Sequence, residues 1–143
     1  KENIEYQKFF LIDSWEPMKK EFLEEKEIKQ VNRYKENSID ITKKNLNKFN
    51  KFKFKKGFIP NVYKNFNEIR MIDWLHIDLN SSRATKETLL FFSNYLNKNS
   101  IILFDDYGWP NHELSRIEID KWTMNRKGLL WPLPTGQAIF FNF

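Results

Sequence analysis

The chain has 143 residues, a formal net charge of +5 and no cysteine, and 41% of its residues are hydrophobic. That length allows one domain with a sizeable core, and the lack of cysteine excludes disulfides and thiolate metal sites. No apolar run approaches the roughly 18 residues that a membrane-spanning helix needs. We therefore expect a cytoplasmic protein with no membrane partner. Lysine outnumbers arginine and no nucleic-acid-binding module is visible, so we also expect no nucleic-acid partner.

The first third of the chain predicts two strands and two helices. Residues 9–12 (FFLI) form a strand-like run that ends at Asp13 and Ser14. Pro17 suits the first turn of a helix, so an amphipathic helix is predicted from there to about Tyr34. Ser38 or Asp40 can cap a further helix that runs to about Phe49. Residues 51–55 (KFKFK) alternate with period two, which is typical of an edge strand.

The stretch from Trp74 to Trp109 predicts a strand–helix–strand unit. Residues 74–77 (WLHI) and 101–104 (IILF) are short apolar runs, as strands buried on both faces should be, and residues 85–96 form an amphipathic helix between them. A crossover of this length makes the two strands parallel, and we expect them to be neighbours in one sheet. Asp78, Asp105 and Asp106 should then emerge at the carboxyl ends of the strands, where open α/β sheets bind ligands.

The C-terminal part predicts one helix and an antiparallel pair of strands. The helix spans about Leu114 to Asn125, with Ile117, Trp122 and Met124 expected to pack inward. Residues 129–131 and 137–143 are strand-like, and the short connection between them allows only an antiparallel pair. The pattern as a whole predicts an α/β fold: a mostly parallel sheet that ends in an antiparallel hairpin.

Five short motifs follow one another along the chain, at 13–16 (DSWE), 56–60 (KGFIP), 76–78 (HID), 104–108 (FDDYG) and 133–137 (LPTGQ). Together they resemble the macrocin O-methyltransferase family of class I S-adenosylmethionine-dependent methyltransferases. The resemblance extends from Phe9 to Phe140 and implies a Rossmann-like sheet with its last strand inserted antiparallel.

The resemblance implies magnesium-assisted transfer of a methyl group to a hydroxyl of a sugar or other small polyhydroxylated acceptor. Asp78, Asp105 and Asp106 match the family's Mg²⁺ ligands, and carboxylate oxygens suit that hard cation. Asp13, with Ser14 beside it, matches the acid that holds the ribose of S-adenosylmethionine. The chain could also form a homo-oligomer.

Two features depart from the family pattern. Asn80 stands where the family often has a second acid, proposed as general base, and an amide cannot accept a proton at neutral pH. The glycine-rich first strand and turn are absent, since the four glycines form no such loop. We therefore expect residues 1–143 to be a single, partial methyltransferase domain that lacks the first, central strand and binds S-adenosylmethionine weakly by itself.

Several alternatives stay open from the sequence. Asp105 and Asp106 could start a turn, and Asp13 could cap a helix. His76 and His112 lie near the acids, but the pattern assigns neither as a base. The acidic cluster could instead serve a metal-dependent glycosyltransferase, or the chain could be a non-catalytic, truncated Rossmann-like interaction module.

Overall fold

Strands and helices alternate along residues 8–49 and 51–143, which the computed structural model describes. Short 3₁₀ turns connect several of them, at Lys20–Phe22, Glu25–Gln30, Asn61–Asn65 and Ser93–Tyr95. The elements in chain order are β1 (Phe9–Asp13), α1 (Ile39–Asn45), β2 (Phe52–Lys56), β3 (Ile72–Ile77), α2 (Ser82–Phe92), β4 (Leu96–Phe104), α3 (Glu113–Met124), β5 (Gly128–Pro132) and β6 (Ala138–Asn142).

The six strands found in the described residues form two sheets. β1 and β2 pair in parallel, with β2 as the predicted lysine-rich edge strand. The second sheet has the order β3-β4-β6-β5, in which β3 and β4 are parallel neighbours as predicted. β6 is antiparallel to both β4 and β5, so it is the one reversed strand of that sheet. The predicted mostly parallel α/β sheet with a C-terminal antiparallel hairpin is confirmed.

A gap separates the two sheets. Among the described residues, no strand pairs with both β1 and β3, and each of these two strands has one unpaired edge. The prediction that β3 is buried on both faces is wrong, because Trp74 is 55% exposed and His76 is also exposed. A strand at the edge of its sheet lacks the cover that a central strand receives on both sides. β3 is such an edge in this structure.

The main core lies between the four-stranded sheet and the helices α2 and α3. Ile102, Phe104 and Phe140 are at most 1% exposed, and the Trp122 ring meets Phe140 edge to face at 5.3 Å. The expected inward positions of Ile117 and Met124 are wrong, since their side chains are 45% and 82% exposed.

Helical spacing explains the correction in α3. Ser115, Ile119 and Trp122 are separated by four and three residues, so they share one face of the helix, and Ser115 and Ile119 are buried. Ile117 is two residues from Ile119, which places it about 200° around the helix axis. The hydrophobic residues of α3 therefore do not all lie on its buried face.

The predicted helix from Pro17 to about Tyr34 is wrong. The segment folds instead as two 3₁₀ turns, and it buries polar residues against the start of α2. Glu27 is 6% exposed, and its carboxylate accepts bonds from the backbone N–H of Ser82 (2.7 Å) and of Glu24 (3.0 Å). Its tertiary contacts outweigh the local helical pattern. In this part of the chain, as in the rest that the structure describes, no helix is long and apolar enough to cross a bilayer.

Candidate active site

A cavity of about 660 Å³ opens at the carboxyl ends of β3 and β4. Asp78 directly follows β3, while Asp105 and Asp106 directly follow β4, and all three line this cavity. The backbone N–H of Asp105 donates to the carbonyl of Ile77 at 3.0 Å, which continues the pairing of the two strands by one residue. The parallel strand pair thus places the three acids at one edge of the sheet, where the sequence predicted them.

Each acid at the end of β4 has its own polar neighbours. Asp105 Oδ1 accepts a hydrogen bond from Gln137 Nε2 at 2.7 Å and lies 3.7 Å from His76 Nε2. Asp106 Oδ2 lies 3.4 Å from His112 Nδ1. The hairpin connection just before β6 and the loop before α3 therefore orient these two carboxylates.

The carboxylates that line the cavity repel one another. The pKa of Asp78 is raised above its ordinary value, mainly because burial removes water from its carboxyl and, to a smaller extent, because Asp105 and Asp106 carry the same charge. Burial also raises the pKa of Asp106, and Asp105 adds to this, while His112 and more weakly Arg33 lower it. The acids are close enough to destabilise one another's charged forms, which a bound cation would relieve.

The three acids share the cavity without forming a ready metal centre. Within residues 8–49 and 51–143, no group of three or more His, Asp or Glu side chains is close enough to hold a metal ion. One carboxylate oxygen of Asp105, Oδ1, is already bonded to Gln137. The donor chemistry fits a hard cation, but the carboxylates would have to draw together to ligate it.

Asn80 and Asp13 take part in other contacts. Asn80 also lines the cavity, and its Oδ1 accepts a hydrogen bond from the Tyr34 hydroxyl at 2.8 Å. Asp13 lies at the carboxyl end of β1, where its Oδ1 accepts the backbone N–H of Trp15 at 2.6 Å, and Ser14 bonds the backbone of Glu16. Asp13 and Ser14 thus shape the turn after β1, and neither lines the cavity.

Comparison with known proteins identifies the family. The sequence pattern of a family described as a methyltransferase domain matches residues 2–107, about three quarters of the chain. The chain belongs to this methyltransferase-domain family. Membership implies S-adenosylmethionine as the methyl donor. A comparison with curated proteins finds no match.

The fold of this methyltransferase domain also resembles that of a solved structure, the O-methyltransferase NovP. The two chains superpose with a TM-score of 0.76 at 14% sequence identity, over 94% of this chain and 60% of NovP. The chain thus spans about 60% of the length of that enzyme. At this identity the likeness concerns the fold.

Sequence reasoning missed one whole wall of the cavity. Lys29, Gln30, Arg33 and Tyr34 line it from the segment that was predicted as a solvated helix. Their approach depends on left-handed backbone at Asn32 (φ 65°) and Tyr34 (φ 64°). Asparagine often adopts that conformation but tyrosine rarely does. The sequence therefore gave little indication that the backbone would turn at these two positions. Gln137 belongs to the motif at residues 133–137, but its bond to Asp105 depends on the register of the hairpin, which the motif does not reveal.

Gly136 supports the aromatic side of the cavity of this methyltransferase domain. Its φ of 88° disfavours any side chain, and an added Cβ would lie 2.6 Å from Nε1 of Trp109. We expect Gly136→Ala to cost about 1 kcal/mol or more in stability and to displace the Trp109 ring. Urea unfolding and tryptophan fluorescence would measure both effects.

Gly57→Ala is the control for that substitution. Its Cβ would come 3.1 Å from the Val62 Cβ, which is tight, but the nearest atoms all belong to Val62 rather than Trp109, and the position needs no left-handed backbone. A Gly136→Ala protein with the stability and emission spectrum of the unsubstituted protein would contradict the predicted support.

Proposed function

We propose that the protein carrying this chain transfers a methyl group from S-adenosylmethionine to a hydroxyl of a sugar or other small polyhydroxylated acceptor. The observation that carries the proposal is the cavity at the carboxyl ends of β3 and β4, which Asp78, Asp105 and Asp106 line. Open α/β sheets bind ligands at this edge. Together with membership of the methyltransferase family, the acids favour an acceptor rich in hydroxyl groups.

We propose that Asp78, Asp105 and Asp106 hold Mg²⁺ when the acceptor binds. A hard cation prefers carboxylate oxygens, and their mutual repulsion provides a reason for them to bind one. The ion would lower the pKa of an acceptor hydroxyl. The acids of this chain would orient the acceptor, and the hydroxyl proton would pass to a base as its oxygen bonds to the methyl carbon and the carbon–sulfur bond breaks.

We also propose that the cofactor lies beside β1, with its ribose held by Asp13 and Ser14. Asp13 is the last residue of β1, and its charge contributes, as the weakest of the causes, to the raised pKa of Asp78. Among the strands that the structure describes, β1 and β3 each have an unpaired edge, which suggests that a further parallel strand completes the cofactor site of the domain. The 143-residue chain by itself is then expected to bind S-adenosylmethionine more weakly than micromolar in isothermal titration.

Methyl transfer by the natural polypeptide that carries this chain tests the function. Radiolabel from the methyl group of S-adenosylmethionine should appear in hydroxylated sugars and depend on the acids of the cavity. Turnover of a nucleotide sugar without any response to S-adenosylmethionine would overturn the proposal in favour of glycosyl transfer.

A further inference from the structure

We propose that the acceptor carries an anionic group, a phosphate or a carboxylate, that binds Arg33 and Lys29 while its hydroxyl faces the acids. This inference rests on the proposed function, because it names the class of acceptor for the same cavity. It starts from the two opposite walls of that cavity. Asp78, Asp105 and Asp106 form one, and the segment from Lys29 to Tyr34 forms the other.

The backbone of the second wall is fixed before any ligand arrives. Met18 bonds both ends of the Asn32–Arg33 unit: its N–H donates to the Arg33 carbonyl (3.2 Å), and its carbonyl accepts the Asn32 N–H (2.9 Å). The Arg33 N–H in turn donates to the Gln30 carbonyl at 3.0 Å. The residues on both sides of Arg33 are left-handed, which asparagine tolerates at position 32 but which is unfavourable for Tyr34, and the bonds to Met18 and Gln30 hold this backbone in place.

The guanidinium of Arg33 is also held by side chains. Its Nη1 donates to Oε1 of Gln30, a polar side chain that is only 2% exposed, and the group lies 5.2 Å from the centroid of the Tyr34 ring. Lys29 Nζ donates to Oδ1 of Asn111 across the mouth of the cavity. Both cations therefore have neutral hydrogen-bond partners, while their charges act at longer range on carboxylates, that of Arg33 on Asp106 and that of Lys29 on Glu113.

Some basic side chains of the chain are paired with carboxylates. Lys53 and Lys55 share Glu68, and Lys19 pairs with Glu16. Arg33 and Lys29 form no ion pair with a carboxylate among residues 8–49 and 51–143, and unlike unpaired surface lysines such as Lys35 they line the cavity. A positioned but unpaired guanidinium in a cavity is suited to a bidentate bond with a phosphate or carboxylate.

The aromatic side chains near the cations would contact the rest of the acceptor. Trp109 is 54% exposed and Tyr34 is 38% exposed, and both line the cavity. A sugar ring between them would place its anionic substituent on one wall and a hydroxyl on the other. A neutral sugar would use the acids and the aromatic rings equally well, but it would leave Arg33 and Lys29 without a role in binding.

Titrations followed by NMR distinguish these cases. The probes are glucose 6-phosphate, glucuronate and glucose, added to the ¹⁵N-labelled chain while the Arg33 side-chain N–H and the Trp109 indole N–H are observed. We expect either anionic sugar to move both signals and to bind about tenfold or more tightly than glucose. Comparison of the titrations with glucose 6-phosphate and with glucuronate shows whether the site prefers a phosphate or a carboxylate. No cofactor is needed, so this binding test can succeed or fail independently of methyl transfer.

Substitutions provide the decisive comparison. Arg33→Gln should weaken binding of the preferred anionic sugar about tenfold to a hundredfold and leave glucose within about threefold, while Arg33→Lys should restore part of the loss. Lys35→Gln is the matched control, because it removes an exposed charge close by that does not line the cavity.

Three results would overturn the inference. The anionic sugars could fail to bind, or they could shift signals away from Arg33, as general attraction to a basic chain would do. Alternatively, Arg33→Gln could weaken glucose and its anionic counterparts by the same factor, which would mean that Arg33 only balances the charge of the acids. Each outcome leaves methyl transfer to neutral hydroxyl acceptors intact as a separate question.

Discussion

Phe140→Ala is expected to lower the free energy of unfolding by about 3–5 kcal/mol, a large part of the 5–15 kcal/mol typical of a domain. Phe140 is 1% exposed and lies on β6, between Ile102 of β4 and Leu130 of β5 in the sheet register. Its ring also packs against Trp122 of α3. Truncation leaves a cavity where the sheet meets the helical layer, because the surrounding strands cannot collapse into the space. Urea unfolding followed by circular dichroism would measure the loss.

Phe143→Ala is the control for Phe140→Ala. The Phe143 side chain is 61% exposed, so its removal should change stability by no more than about 0.5 kcal/mol. If Phe140→Ala cost as little as Phe143→Ala, the assignment of β6 to the interior of the sheet would be untenable.

The double substitution of Asp78 and Asp106 by Asn is expected to reduce methyl transfer about 100-fold or more. The amides cannot bind a divalent cation or orient an acceptor hydroxyl as carboxylates do, and loss of several kcal/mol of transition-state stabilisation gives this factor. Activity of the natural polypeptide that carries this chain is the measurement. Mg²⁺ should raise the melting temperature of the unsubstituted protein and leave that of the double variant unchanged.

The same double variant should melt at a higher temperature than the unsubstituted protein at pH 7 without Mg²⁺. The pKa values of Asp78 and Asp106 are raised by burial and by neighbouring carboxylates, so their charged forms destabilise the fold. A raised carboxyl pKa makes the protein more stable when the group is protonated. The advantage of the Asn variant should therefore vanish as the pH falls through the raised values towards the ordinary 3.8.

Asp73→Asn is the matched control for the acids. Asp73 is an exposed carboxylate on the same strand, β3, but at its amino end, where its Oδ1 accepts a bond from Asn97 Nδ2. It should alter neither activity nor the response to Mg²⁺. Retention of full activity in the double variant would remove the acids from the proposed chemistry.

The sheet was predictable from the sequence because its strands are short apolar runs with distinct boundaries. Ile102 and Phe104 lie in such a run, and the two acids after it mark the end of β4. The length of the crossover between β3 and β4 predicts that they are parallel neighbours. The connection between β5 and β6 is too short for a parallel crossover, so it predicts an antiparallel pair. Placement of Asp78 beside Asp105 and Asp106 then needed only the geometry of parallel strands.

The second wall of the cavity was not predictable because its structure depends on contacts far away in sequence. Glu27 is an ordinary surface residue by type, but its carboxylate binds the backbone of Ser82, 55 residues later. The periodicity of the segment suggested a helix, and tertiary hydrogen bonds replaced it with 3₁₀ turns. The positions of Arg33 and Tyr34 follow from that replacement. Local propensity is weakest as a guide where buried polar contacts decide the backbone.

The reversed strand has a consequence for how the protein forms during synthesis. β6 lies inside the four-stranded sheet, but its residues are the last of the six strands to leave the ribosome. Until β6 has been synthesised, one edge of β4 has no strand to pair with. The apolar side chains of Ile102 and Phe104 also lack Phe140, which belongs to the same core cluster. A polypeptide interrupted before Ala138 would expose this edge to strands of other chains, so premature termination should yield aggregates rather than a smaller folded domain.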